Sequence, residues 1–148
     1  MSRYTELIRH ALSKLQDSYA PYSGYHVAAA LRAADGEVYD GVNIENAAYT
    51  PTICAERTAF FKAVSGGARR FEAIAIVAAK ASDLPAGGEA PASVPTCATP
   101  CGVCRQVMRE FCDPESFTVI LARSEDDYKV YKLKELLPES FGPEFLRP

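Results

Sequence analysis

The chain has 148 residues, of which 48% are hydrophobic and 24% charged. That is ordinary globular composition, which excludes disorder or a fibrous repeat over its length and removes the need for disulfide staples. Sixteen Lys and Arg face 19 Asp and Glu, for a net charge of −3, and the scattered basic residues argue against a nucleic-acid polymer as partner.

No apolar run approaches the roughly 20 residues of a membrane helix. The opening MSRYTELIRH has no apolar segment of the secretory kind. A reducing, cytoplasmic setting is therefore expected, with no membrane partner. There, five cysteines, an odd number, read as metal ligands or redox groups rather than disulfides.

In chain order, residues 3–18 place Leu7, Ile8, Ala11, Leu12 and Leu15 at the spacing of an amphipathic helix, with Ser2 as its N-cap. The stretch 19–24 breaks it. Residues 25–33 and 37–44 read as two strands joined by an Asp35-Gly36 turn. Residues 54–65 read as a helix closed by Gly66-Gly67, and 71–79 as a strand buried on both faces.

Residues 80–99, rich in Ala, Pro, Gly and Ser, form a long loop. A helix over 102–112, a strand over 117–122, a turn at 125–127, a strand over 128–133 and a short helix over 134–137 follow. The sum is a three-layer α/β/α domain spanning 1–148, with a mixed sheet of about five strands.

Two cysteine sites carry the chemistry. Cys54-Ala55-Glu56-Arg57 and Pro100-Cys101-Gly102-Val103-Cys104 each open a helix. Two cysteines separated by two residues chelate one zinc ion, and a helix N-terminus favours the thiolate. Three thiolates leave the fourth position to water, the mark of a catalytic zinc. Glu56 lies two residues past a ligand, where a carboxylate can take a proton from that water. Arg57 offers a guanidinium to offset the surplus negative charge of three thiolates on Zn²⁺.

Read singly, these residues have plainer explanations. The cysteines alone would be small buried hydrophobes, or a structural zinc site with Cys97 as fourth ligand. Glu56 alone would be a carboxylate favoured at a helix start. Asn43 and Glu45 would be turn chemistry, and Cys112 a core residue.

Five segments in order resemble the short, homotetrameric cytidine deaminases: YAPYSGYHVAAAL (19–31), NIENAAY (43–49), CAERTAFFKAV (54–64), PCGVCRQVM (100–108) and LLPESFGPEFL (136–146). The resemblance implies the deaminase fold, one Zn²⁺ per subunit held by Cys54, Cys101 and Cys104, and Glu56 as proton shuttle. It implies Arg57 hydrogen-bonded to the ligand thiolates, Asn43 and Glu45 on the ribose, and the Ala55 N–H on the pyrimidine carbonyl. It implies Phe141 reaching the site of a neighbouring subunit. The substrate implied is a small nucleoside, cytidine or 2′-deoxycytidine, in pyrimidine salvage.

The sequence departs from the family where Tyr25 replaces Phe, His26 replaces Pro and Ala28 replaces Gly, positions expected at the pocket wall, and where the 80–99 loop is longer by roughly ten residues. Those departures leave a blasticidin S-like aminopyrimidine antibiotic as an alternative substrate. A non-catalytic zinc module with four protein ligands is the other alternative.

Overall fold

In the computed structural model, which describes residues 2–147, the amphipathic first segment forms α1 (Thr5–Lys14), extended by a 3-10 turn over Leu15–Asp17. The helix starts later than its sequence suggests. Ser2 Oγ accepts the Tyr4 N–H at 3.2 Å in the turn ahead of the helix. The N-cap position falls to Tyr4, whose side chain makes no cap.

The hairpin forms from β1 (Tyr25–Ala33) and β2 (Val38–Val42). Its turn needs a left-handed residue, which Gly36 supplies at φ 93. Asp35 Oδ1 accepts the Glu37 N–H at 3.0 Å. β2 ends two residues sooner than expected, and Ile44 then makes single bridges to Tyr19 and Ile53.

Next come α2 (Ala55–Ser65), β3 (Phe71–Lys80), α3 (Gly102–Phe111), β4 (Thr118–Ala122), β5 (Tyr128–Lys132) and α4 (Leu133–Leu136). The strands lie in the order β2-β1-β3-β4-β5. β3 and β4 are parallel and every other pair is antiparallel.

Strand alternation sorts the side chains into two cores. Ala28, Ala30, Ala75, Val77 and Ile120 pack under α1. Ala29, Leu31, Ile74, Ile76 and Val119 pack on the other face with Phe60, Met108 and Leu133 of α2, α3 and α4. β3 is buried on both faces, as its apolar run predicts.

The 80–99 loop is tied down. Val94 is buried in the α1-side core. Ser93 bridges to Ser124 and Thr96 to Ala78. Gln16 Nε2 donates to Pro85 O at 3.1 Å and Glu89 O at 3.0 Å.

One close approach sets the position of α2. A Cβ on Gly41 of β2 would lie 2.4 Å from Ala55 O and 2.4 Å from Ala59 N, both backbone atoms. Only glycine lets the helix sit so low on the sheet. Gly41→Ala is expected to cost at least about 2 kcal/mol in urea unfolding, because the helix itself would have to move. An unchanged midpoint would show that α2 can be displaced freely.

Candidate active site

α2 and α3 start against each other, and each begins at a cysteine. Cys54 and Cys101 are the extended N-cap residues of the two helices, and Cys104 lies in the first turn of α3. Their three Sγ atoms lie within 4.8 Å of one another, with Cys54 and Cys101 separated by 3.9 Å. A tetrahedron of ~2.3 Å zinc–sulfur bonds has edges of about 3.8 Å. The donor set thus fits zinc in type and spacing. Cys97 is outside it: its Sγ turns to Leu121 O at 3.6 Å. Cys112 is buried in the core beside α3.

The cluster manages its own charge. A hydrogen bond from the Cys104 thiol holds Cys54 down to about 5, with Arg57 and Cys101 adding to it against the effect of burial. The Cys104 thiol moves up, through that same hydrogen bond and its burial. Metal binding would displace the proton between them. Arg57 Nη2 donates to Cys54 Sγ at 3.4 Å. Burial works against the guanidinium, but hydrogen bonds to Cys54 and Cys104 more than offset it and raise its pKa. Cys101 Sγ accepts the Cys104 N–H at 3.4 Å.

Glu56, on the first turn of α2, is only 4% exposed. Burial pushes its carboxyl up, while a hydrogen bond with Cys104 pulls the other way. It faces a cavity of about 490 Å³, which also takes in Cys54, Ala55, Cys101, Tyr25, Asn43 and Glu45. That volume suits a small organic ligand.

At the far side of the cavity the polar groups are already partnered. Asn43 Oδ1 accepts the Val27 N–H at 2.9 Å and the Ser18 hydroxyl, and Asn43 Nδ2 donates to Tyr25 O at 2.8 Å. Asn43 therefore staples the start of β1 as well as facing the cavity. Glu45 Oε1 accepts the Tyr22 N–H at 3.0 Å and the Ser23 N–H at 3.1 Å. The Ser23 hydroxyl, with both N–H groups, holds the Glu45 carboxyl below the usual carboxylate range.

Two expectations need correction or placement. His26 and Ala28 are not at the pocket wall. Alternation along β1 sends them to the α1 face, where His26 Nδ1 meets Leu15 O at 2.9 Å, while Tyr25 and Val27 line the cavity. Phe141 lies outside this cavity, stacked on Phe145 at 5.1 Å beside Gln106 and Glu110 of α3. Ser18, Ser23, Thr52, Ile53, Ala98 and Thr99 went unnoticed in the sequence, and Cys97, weighed there as a fourth ligand, lines the cavity instead. Only Ser23 carried a signal, as a hydroxyl in the turn just before Tyr25.

A three-sulfur donor set is that of a catalytic zinc centre, which keeps one position for a non-protein ligand. Comparison with known proteins gives the same class. The family described as "Cytidine and deoxycytidylate deaminase zinc-binding region" matches residues 1–120. A cytidine deaminase of Sporosarcina psychrophila is 45% identical over 95% of this chain and 93% of its own. The crystal structure of a cytidine deaminase from Burkholderia pseudomallei superposes with a TM-score of 0.77 at 39% identity, over 95% of this chain and all of that one. A blasticidin-S deaminase of Bacillus cereus is 33% identical over 90% of this chain and 88% of its own.

The chain belongs to the cytidine and deoxycytidylate deaminase family of zinc-binding proteins. Its Cys54, Cys101 and Cys104 sulfurs form a cluster suited to one zinc ion per chain.

Proposed function

We propose that the protein hydrolyses cytidine, 2′-deoxycytidine or both to the corresponding uridine and ammonia. The observation that carries this reading is the buried Glu56 carboxyl beside the three-sulfur cluster, in one cavity with Asn43 and Glu45. Zinc, when bound, supplies a water activated as nucleophile.

Glu56 would accept one proton from that water and pass it to N3 of the ring as C4 is attacked, then take the proton of the new C4 hydroxyl and hand it to the departing amine. Atoms balance: one water enters and one ammonia leaves. Asn43 and Glu45 hold the sugar, the Ala55 N–H takes the pyrimidine carbonyl, and Tyr25 forms a wall. These contacts bind the nucleoside in the cavity with its ring facing the nucleophile. Arg57 keeps the thiolate charge in check.

In the same reading, residues 1–148 act as one deaminase domain within a homotetramer. Phe141 reaches a neighbouring subunit's site. An exposed Phe141–Phe145 pair supports this, held on α3 through Gln106 Nε2 to Phe141 O at 2.9 Å and Arg109 to Ser140 at 2.8 Å. Among the described residues no helix is long and apolar enough to cross a membrane. A cytoplasmic salvage enzyme acting on free nucleosides is the setting that suits these features.

Likeness to the blasticidin-S deaminase of Bacillus cereus favours a second substrate. A panel of cytidine, 2′-deoxycytidine and blasticidin S, followed by ultraviolet absorbance with zinc-replete protein, separates the two. Loss of the cytosine chromophore with the antibiotic spared is expected. Turnover of blasticidin S alone would replace the nucleoside reading.

A further inference from the structure

We propose that Ser23 is a positioning residue for the substrate sugar: its hydroxyl fixes which lone pair of the Glu45 carboxylate is left free, a role that rests on the nucleoside reading above. Each carboxylate oxygen accepts about two hydrogen bonds. Glu45 Oε1 already takes two, from the Tyr22 and Ser23 N–H groups at 3.0 and 3.1 Å. Oε2 takes one, from the Ser23 hydroxyl at 2.5 Å. A single acceptor site on Oε2 remains.

The direction of the Ser23 hydroxyl is itself determined. Its oxygen accepts the Tyr25 N–H at 3.0 Å. A backbone N–H can only donate, so the one hydroxyl proton goes to Glu45. Ser23 thereby ties the carboxylate to the first residue of β1, whose side chain forms part of the same cavity.

Asn43 completes the arrangement. The Val27 N–H fixes its Oδ1 and the Tyr25 carbonyl fixes its Nδ2. Its oxygen is saturated by Val27 and Ser18, and one N–H is left. That end of the cavity therefore offers one donor, on Asn43, and one acceptor, on Glu45. The pair complements one hydroxyl group that both accepts and donates.

Without the Ser23 hydroxyl, Oε2 gains a second open site, the Tyr25 N–H loses its partner, and a partly exposed side chain regains rotamer freedom. None of these changes touches the zinc cluster or Glu56. The loss should fall on binding of the hydroxyl rather than on the chemical step.

The test compares wild type, Ser23→Ala and Ser23→Thr as zinc-loaded protein, on cytidine and on 2′,3′-dideoxycytidine. Ser23→Ala is expected to raise KM for cytidine about tenfold with kcat held within about twofold. Its kcat/KM on the dideoxy compound, which lacks the hydroxyl in question, should match wild type, and Ser23→Thr should restore the cytidine KM. An unchanged cytidine KM in Ser23→Ala, or an equal loss of kcat/KM on both compounds, would overturn the role. Absence of cytidine turnover in the wild type would overturn the nucleoside reading and this role with it.

Discussion

Glu56→Ala is expected to retain a full complement of zinc and to lose about four orders of magnitude in kcat on cytidine. A single positioned acid or base contributes about 10² to 10⁴, and Glu56 is assigned two successive transfers, so the loss belongs at the upper end. Stability should move the other way. The carboxyl is 4% exposed and burial pushes its pKa up, so removing it relieves a desolvation cost. Metal content, turnover and the unfolding midpoint of the variant together check the assignment. A variant with wild-type kcat would remove Glu56 from the mechanism. A variant that loses its zinc would make it a structural partner of Cys104.

Cys104→Ser is expected to lose both metal and activity, and to unfold at a lower temperature than zinc-loaded wild type. The Ser hydroxyl does not ionise near neutral pH and cannot replace a thiolate donor. Two helices begin at Cys54 and Cys101, so a zinc ion held there would join two chain segments that are far apart in sequence. Zinc at about a thousand times its Kd adds about 4 kcal/mol to stability. A chelator should lower the wild-type midpoint towards that of Cys104→Ser. Cys97→Ser serves as the control and should keep its zinc, since Cys97 is bonded to Leu121 O. Zinc loss in Cys97→Ser would restore the closed, four-ligand centre as the better account.

The sequence is a good guide wherever one local rule decides. β3 is legible because FEAIAIVAA is a continuous apolar run of strand length, which a strand covered on both faces accommodates. The Asp35-Gly36 turn is legible because Gly36 must be left-handed, and the Cys101–Cys104 pair because ligand spacing at a helix start is a local property, while Cys54 joins that pair only through the family resemblance. Legibility fails where the answer depends on what lies across the fold.

His26 and Ala28 look like pocket residues when aligned beside Tyr25, but a strand turns alternate side chains to opposite faces. Asn43 is readable as a sugar ligand, yet its bonds to Ser18, Val27 and Tyr25 come from segments 16 to 25 residues away. Ser2 shows the limit at a chain end, where a shift of the helix start moves the cap.

The loop before the second ligand pair behaves as two short spans rather than one long one. Its returning half is fastened by Val94, by the Ser93–Ser124 bridge and by the Thr96–Ala78 bridge. Cys97, Ala98 and Thr99, which border the cavity, come directly after those fastenings. Lengthening or shortening the chain around 86–90 costs at most the Gln16 bonds to Pro85 O and Glu89 O, changes closure entropy only logarithmically and leaves the wall where it is. The segment ahead of the fastenings is the place where evolution can vary chain length, and a protein engineer can insert a tag, without altering the shape seen by a ligand.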